Sequence, residues 1–468
     1  MNYNEISASI WATSDDVLRN DFKKGEYGRI ILPFVVLRRL DSIIAPQKDE
    51  IIQFYNDNKS KLGSNTNIIK TKFKVPFYNS SKFDLSRLMQ DATNIRTNFT
   101  NYMDGFSENI ADILKNFKFE ELVNRLYEKD LLYMFIEKIT AFSLDPSKVD
   151  NHVMGSIYEE LLRRYSEMAN EESGDHYTPR DAIRTLVAIL FAPDEEKLKG
   201  KGIIRSIYDP CVGTGGMLTV SKKWIKENIN DDIILNLYGQ ELNDDTYATC
   251  KSDFLITGES EDNIKGPFSS LSKDAFEGKT YDYMICNPPY GVSWKKEKTF
   301  VEKEAKNPLG RFHAGLPPSS DGQLLFLQHQ LKKMNPQGSR IGIVFNGSPL
   351  FSGDAGGGTS NIRKWIIEND WLETIVALPE QLFFNTGIAT YFWILTNKKT
   401  PERKGKVQLI NGSGFWTQMQ KSLGNKRRFI SEEQTNQIKQ IYLSFSESEF
   451  SQIKPNSFFG YTKVQVDQ

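Results

Sequence analysis

Residues 203–209 read Ile-Ile-Arg-Ser-Ile-Tyr-Asp, and Pro210-Cys211-Val212-Gly213-Thr214-Gly215-Gly216-Met217 follows before an apolar helix that begins near Leu218. A strand closed by an acid, a glycine loop and a helix constrain the fold more than anything else in the chain. Doubly wound α/β sheets hold adenosine cofactors with this unit. A phosphate-binding P-loop is excluded, because no Gly-Lys-Ser/Thr follows. The spacing Gly213-x-Gly215-Gly216, directly after Asp209-Pro210, also differs from the dinucleotide pattern G-x-G-x-x-G. It suits a ligand without phosphate at this point: backbone approaches the methionine part of S-adenosyl-L-methionine, and Asp209 pairs with its ammonium. A second strand, residues 235–241, ends in Glu241, 241 − 209 = 32 positions on, a βαβ separation. There Glu241 accepts both ribose hydroxyls, as the acid after the second strand does in dinucleotide folds. The bland reading of Glu241, a surface carboxylate at a strand end, loses weight beside the glycine loop.

Asn287-Pro288-Pro289-Tyr290 ends a third apolar run, residues 281–286. Two prolines stop a strand abruptly. The chemistry that fits this turn is methylation of a planar amino group, a poor nucleophile because its lone pair is delocalised. The Asn287 side-chain oxygen and the Pro288 carbonyl each accept one N–H, which frees the lone pair for attack. Pro289 stiffens this acceptor pair. Tyr290 offers a flat face for a base that has left the helix. Four residues alone would leave a plain Pro-Pro strand stop as the reading, and the flanking motifs decide against it. Cys211 follows a proline, as the nucleophile of cytosine-ring methylases does, but it lies inside the cofactor loop, and amino methylation needs no covalent intermediate.

The rest of the chain reads as three parts: a mostly helical domain over residues 1–165, a Rossmann-like methyltransferase domain over 166–400, and an extension over 401–468 that contacts a partner or is truncated. Residues 30–40, 106–119 and 121–142 carry the helical periodicity. Residues 174–180 read Gly-Asp-His-Tyr-Thr-Pro-Arg, with Thr178 as the expected helix N-cap and Pro179 in the first turn. After the Asn-Pro-Pro-Tyr turn comes a long polar loop, residues 293–322, with Lys295, Lys296, Lys298, Arg311 and His313. It reads either as a closure on DNA phosphates or as a solvated lid. Strands are expected over 340–345, 372–378 and 391–396, the last two as an edge pair. The extension holds Lys404, Lys406, Lys426, Arg427 and Arg428 before a helix near residues 432–443. With 59 basic against 60 acidic residues, bulk charge demands no nucleic-acid partner. Three scattered cysteines form neither a disulfide framework nor a metal pattern, so a reducing cytoplasm is the expected location. The N-terminus has no signal-peptide pattern and no run reaches a membrane span.

These residues together resemble an adenine-N6 DNA methyltransferase, and more closely the HsdM-type modification subunit of type I restriction–modification systems. The likeness covers nearly the whole chain. It includes Trp11 and Leu37-Arg38-Arg39-Leu40 in the helical domain, Gly174 to Arg180, Asp209 to Met217, Glu241, Asn287 to Tyr290, Pro317 to Leu327, and Leu378-Pro379 through Thr386-Gly387-Ile388-Ala389-Thr390. The resemblance implies that Asp175, His176, Tyr177, Thr178 and Pro179 touch the cofactor together with Thr214, Gly215, Gly216 and Glu241. It implies double-stranded DNA as substrate. The implied partners are a separate specificity subunit, a second copy of the modification subunit and an optional restriction subunit. One departure stands before the active strand. The family often has an acid followed by Ser/Thr-Leu facing the adenine ring, where this chain has Ser269-Ser270-Leu271, with Asp274 as the available substitute. Two other classes compete: an amino methylase acting on a protein glutamine or an rRNA guanine, and a non-catalytic DNA-binding subunit. The segments around Gly174 and Thr386 speak against the first, and the intact Asp209, glycine loop, Glu241 and Asn287 against the second.

Overall fold

A computed structural model describes residues 3–62, 67–170, 178–383, 388–423, 425–462 and 464. The chain divides into two compact units, residues 1–175 with 244–262, and residues 176–243 with 263–468.

The first unit is helical. Its central helix, Tyr27–Ile44, is buried along almost its whole length, and Phe34 at its middle packs against Phe99, Phe119 and Phe135. The Arg38-Arg39 pair on this helix is structural. Arg39 Nη1 donates to the carbonyls of Leu144 and Val149, both at 2.7 Å, and Arg38 donates to those of Phe142 and Thr140. Those bonds satisfy a loop that would otherwise leave carbonyls buried and unpaired. The periodic stretch 121–142 is two helices, Phe119–Glu128 and Leu132–Thr140, because Asp130 takes a left-handed φ of 56°. The stretch 106–119 narrows to Glu108–Asn116 for the same reason, with Lys118 at φ 52°. The helix Asp244–Ile256 completes this unit, burying Ala248, Leu255 and Ile256 in its core and pairing Lys251 with Asp112 at 3.0 Å.

The second unit is built on β1 (Ile204–Asp209), β2 (Ile234–Gln240), β3 (Ile264–Lys265), β4 (Tyr283–Cys286), β5 (Arg340–Asn346), β6 (Leu372–Ala377), β7 (Thr390–Thr396), β8 (Lys406–Asn411) and, after a hairpin of β9 (Thr417–Leu423) and β10 (Lys426–Phe429), β11 (Ser451–Pro455). Nine of these form one sheet in the order β11-β8-β6-β7-β5-β4-β1-β2-β3. It is parallel except for β7 and β11, which run antiparallel to their neighbours. All four residues of β4 are buried, as expected of a central parallel strand covered on both faces. Gly342 of β5 gives room to Leu186 and Leu190 of the helix Arg180–Phe191, where a Cβ would come within 2.9 Å of Leu186. Its neighbours Ile341 and Ile343 join Leu324, Leu325 and Leu327 of the helix Gln323–Lys332 in another core.

Two expectations change here. β6 and β7 do pair, but in the interior of the sheet, because β8 adds in parallel to β6 and β11 closes that edge. Residues after 400 therefore contribute two strands to the same sheet. A buried ionic cluster ties the amino ends of the strands: Arg340 at the start of β5 meets Glu373 at 2.7 Å and Asp194 at 3.1 Å, and the Tyr442 hydroxyl donates to Glu373 at 2.5 Å. Among the described residues, no helix is long and apolar enough to cross a membrane.

Candidate active site

At the opposite, carboxyl ends of the strands, Asp209 closes β1, Glu241 directly follows β2, and Asn287 directly follows β4. The parallel register sets these ends level, with Asp209 opposite Gly239 and Tyr208 opposite Met284. Ligands of open α/β sheets bind at this end.

Gly213 and Gly215 adopt φ of 56° and 90°, a region costly for a residue with a side chain, and the helix Gly216–Asn228 starts at once. The loop is tied down by Val212 N–H donating to the Gln240 carbonyl at 3.0 Å and Gly213 N–H donating to Glu241 Oε2 at 2.8 Å. Glu241 Oε1 accepts from the Asn243 N–H at 2.8 Å. Asp209 is 1% exposed, and its Oδ1 accepts the Cys211 N–H at 3.0 Å. Burial pushes the Asp209 carboxyl up to about 7, and the Glu241 carboxylate adds to the push. A buried acid with no cation beside it among the described residues, next to a loop where Gly213 and Gly216 meet no atom of those residues within 4 Å, suits a ligand that brings its own positive charge. S-adenosyl-L-methionine, with ammonium and sulfonium groups, has the chemistry this donor set lacks. The second oxygen of Asp209 and the remaining lone pairs of Glu241 are the acceptors available to it.

Asn287 is half-buried and held on both sides. Its Nδ2 donates to Thr178 Oγ1 at 2.8 Å, and its Oδ1 accepts the Tyr290 hydroxyl at 2.6 Å. This corrects the sequence reading of Thr178. The helix runs Arg180–Phe191 with Pro179 at the N-cap position and no side-chain cap, so the threonine hydroxyl is free to orient the amide. The Thr178–Asn287 pair spans 109 positions, and no local pattern signals it. Tyr290 is half-buried beside the turn, and burial drives its phenol well above its ordinary value, so it remains a donor to Asn287. Pro288 is buried and Pro289 partly so. Asp175, His176 and Tyr177 lie outside the described residues.

The remaining sequence candidates separate clearly. Cys211 and Cys286 place their sulfurs 2.9 Å apart, and with an Asp209 oxygen all three ligand atoms lie within 4.8 Å of one another. Burial pushes the Cys211 thiol well up and that of Cys286 to about 11. Neutral thiols are poor nucleophiles and poor metal ligands. Asp274 does not stand in for an acid at position 269: it pairs with the buried Lys333 at 2.7 Å. Arg311 of the long loop does not face solvent either. It grips Glu304 at 2.7 Å, donates to the Ser270 and Leu271 carbonyls at 2.7 and 3.0 Å, and reaches His329. Part of that loop is the helix Lys298–Ala305.

The family described as N-6 DNA Methylase matches residues 149–459, and that described as HsdM N-terminal domain matches residues 6–139. The type I restriction enzyme MjaIX methylase subunit of Methanocaldococcus jannaschii is 25% identical over 98% of this chain and 80% of its own length. The HindI methylase subunit of Haemophilus influenzae is 30% identical over 55% of this chain and 54% of its own. The chain thus spans only about half of the HindI relative, and likewise 52% of the MjaVII methylase subunit. Among solved structures, a type I restriction–modification methyltransferase subunit from Streptococcus thermophilus superposes with a TM-score of 0.74 at 19% identity, covering 98% of this chain and 97% of that one. The likeness in fold thus runs through both units, and the family match takes in the glycine loop, Glu241 and the Asn-Pro-Pro-Tyr turn. The chain belongs to the N-6 DNA methylase family, with an HsdM-type N-terminal domain.

Proposed function

We infer that the chain is the modification subunit of a type I restriction–modification system and methylates N6 of adenine in double-stranded DNA. The observation that carries this reading is Asn287, fixed between Thr178 and Tyr290 just past the end of β4, the strand that pairs with the β1 closed by the buried Asp209. When bound, S-adenosyl-L-methionine would supply an electrophilic methyl group, its sulfur keeping the electron pair of the methyl–sulfur bond. Asp209 takes the ammonium of that cofactor and Glu241 its ribose hydroxyls. Asn287 Oδ1 has two lone pairs; Tyr290 uses one, and the other accepts an amine N–H, with the Pro288 carbonyl accepting the second. These acceptors pull the nitrogen out of planarity and hold its protons until solvent takes the surplus one. The Tyr290 ring supports the extruded base. The family match over residues 149–459 and the HsdM-type domain favour DNA adenine over protein glutamine or rRNA guanine.

Sequence recognition comes from a separate specificity subunit, with a second copy of the modification subunit and an optional restriction subunit completing the complex. The relatives named as type I methylase subunits support this, as does the likeness (TM-score 0.64) to a chain from a structure of type I complex assembly. The test is co-purification with the specificity subunit and tritiated-methyl transfer to cognate duplex. Asn287→Ala lowers kcat by roughly 10²–10³-fold, the worth of one preorganised polar contact, while cofactor affinity by calorimetry stays put. Near-wild-type turnover in Asn287→Ala would show that the active turn has been misassigned.

A further inference from the structure

Residues 412–431 contain Lys421, Lys426, Arg427 and Arg428, and no acidic residue. The segment forms the hairpin β9–β10, with strands paired Arg428 to Gln418 and Phe429 to Thr417. β8 runs parallel to β6, so the chain leaves the sheet for this hairpin at the end where Asp209 and Asn287 lie. The root of the hairpin is pinned there. Lys426 is buried, and its Nζ meets Asp181 Oδ1 and Oδ2 at 3.0 and 3.1 Å and the Leu382 carbonyl at 2.9 Å. The Ile430 N–H donates to Asp181 at 2.9 Å, and the Arg427 N–H to the Gln381 carbonyl at 3.0 Å. Asp181 lies in the first turn of the helix Arg180–Phe191, three positions after the Thr178 that orients Asn287.

We propose that this hairpin binds the phosphate backbone of the DNA strand flanking the target adenine. The proposal rests on the methyl-transfer reading and extends it to the duplex around the base. Lys426 is neutralised by Asp181 and serves as the pin. The charges left for a ligand belong to its neighbours. Arg427 is exposed. Arg428 lies over the Trp416 ring, its guanidinium carbon 3.9 Å from the centroid, which holds the side chain before any ligand arrives. Its Nε is buried and makes no hydrogen bond within the described residues. A guanidinium held in place over a ring fits a phosphate oxygen better than it fits bulk water. The exposed side chains around it, Thr417, Gln418, Gln420 and Asn425, are neutral donors and acceptors. The next carboxylates, Glu432 and Glu433, belong to the following helix, Glu432–Ser444. A merely solvated hairpin would not need a buried ion pair at its root, since desolvating two charges is costly. Orienting the hairpin beside the active turn gives that pair a purpose.

The experiment uses the complex with the specificity subunit and follows methyl transfer to cognate duplex between low and moderate salt. Arg427→Gln and Arg428→Gln are expected each to flatten the log–log salt dependence of DNA binding by about one. Together they raise the KM for DNA by roughly tenfold or more, with cofactor affinity unchanged. Arg427→Lys, which keeps the charge on an exposed site, restores the slope. Wild-type salt dependence and KM in the double variant would overturn the hairpin assignment and leave methyl transfer standing. Loss of specificity-subunit co-purification with an intact salt slope would also overturn it, because the surface would then be a protein contact. A wild-type complex that transfers no methyl to DNA would remove both readings.

Discussion

Thr178 is read from sequence as a helix cap, and the structure gives its hydroxyl another partner. Thr-Pro before a helical pattern is a helix-start signature, yet the cap position falls on Pro179 and the threonine hydroxyl accepts from Asn287. Thr178→Val should lower kcat roughly three- to tenfold, the net worth of a neutral hydrogen bond, with Thr178→Ser restoring it. A fall in cofactor affinity with kcat intact would return Thr178 to the cofactor. Asp209 carries a different signal. Its folded pKa of about 7 lies above the ordinary carboxylate value of 3.8, so its ionisation opposes folding. The unfolded chain ionises this group first as pH rises, so stability is lost from about pH 4 up to about pH 7 and is level above. Asp209→Asn keeps the acceptor for the Cys211 N–H and removes that penalty. It should raise the melting temperature at pH 8, by a margin that closes toward pH 4 and corresponds to at most about 4 kcal/mol. The same variant should lose cofactor binding. In the wild type, affinity should fall up to about tenfold for each pH unit below 7, because the ammonium must first displace a proton.

At the scale of elements, the two ends of the parallel strands do different work. The carboxyl ends carry Asp209, Glu241 and Asn287, and the amino ends carry the buried cluster of Arg340, Glu373, Asp194 and Tyr442. Burial alone would raise the Glu373 carboxyl, yet Arg340 beside it holds it below its ordinary value. Arg340→Met leaves that carboxylate buried and unpaired and should cost about 3–5 kcal/mol in a denaturant titration. Adding Glu373→Leu should recover most of the loss, whereas a purely steric role for Arg340 would leave the double variant as weak as the single. Strand ends at the site were legible because a buried parallel strand reads as an apolar run and its stop falls on a Gly or Pro break. The ionic cluster was not, because Arg340 and Glu373 are ordinary residues at strand starts until the sheet brings β5 and β6 to either side of β7.

For the whole molecule, the doubly wound class and the order of the cofactor and catalytic strands could be read from the glycine loop and the Asn-Pro-Pro-Tyr turn. What could not be read depends on packing at a distance. β8 and β11 join the sheet through Val407, Gln408 and Ile410, whose short mixed pattern does not separate an edge strand from an extension. The helix Asp244–Ile256 buries ten residues in succession, Tyr247 to Ile256, with Lys251, Ser252 and Asp253 among them. It therefore shows no amphipathic stripe that would assign it to the helical unit. That assignment has a consequence for the order in which the protein is made. The helical unit looks like a module that finishes at residue 175, but Ala248, Leu255 and Ile256 of its core are translated only after β1 and β2 of the other unit. During synthesis the N-terminal helices must wait, core incomplete, for some eighty further residues to leave the ribosome. A gene fragment cut at the apparent domain boundary would encode a unit missing one of its own helices.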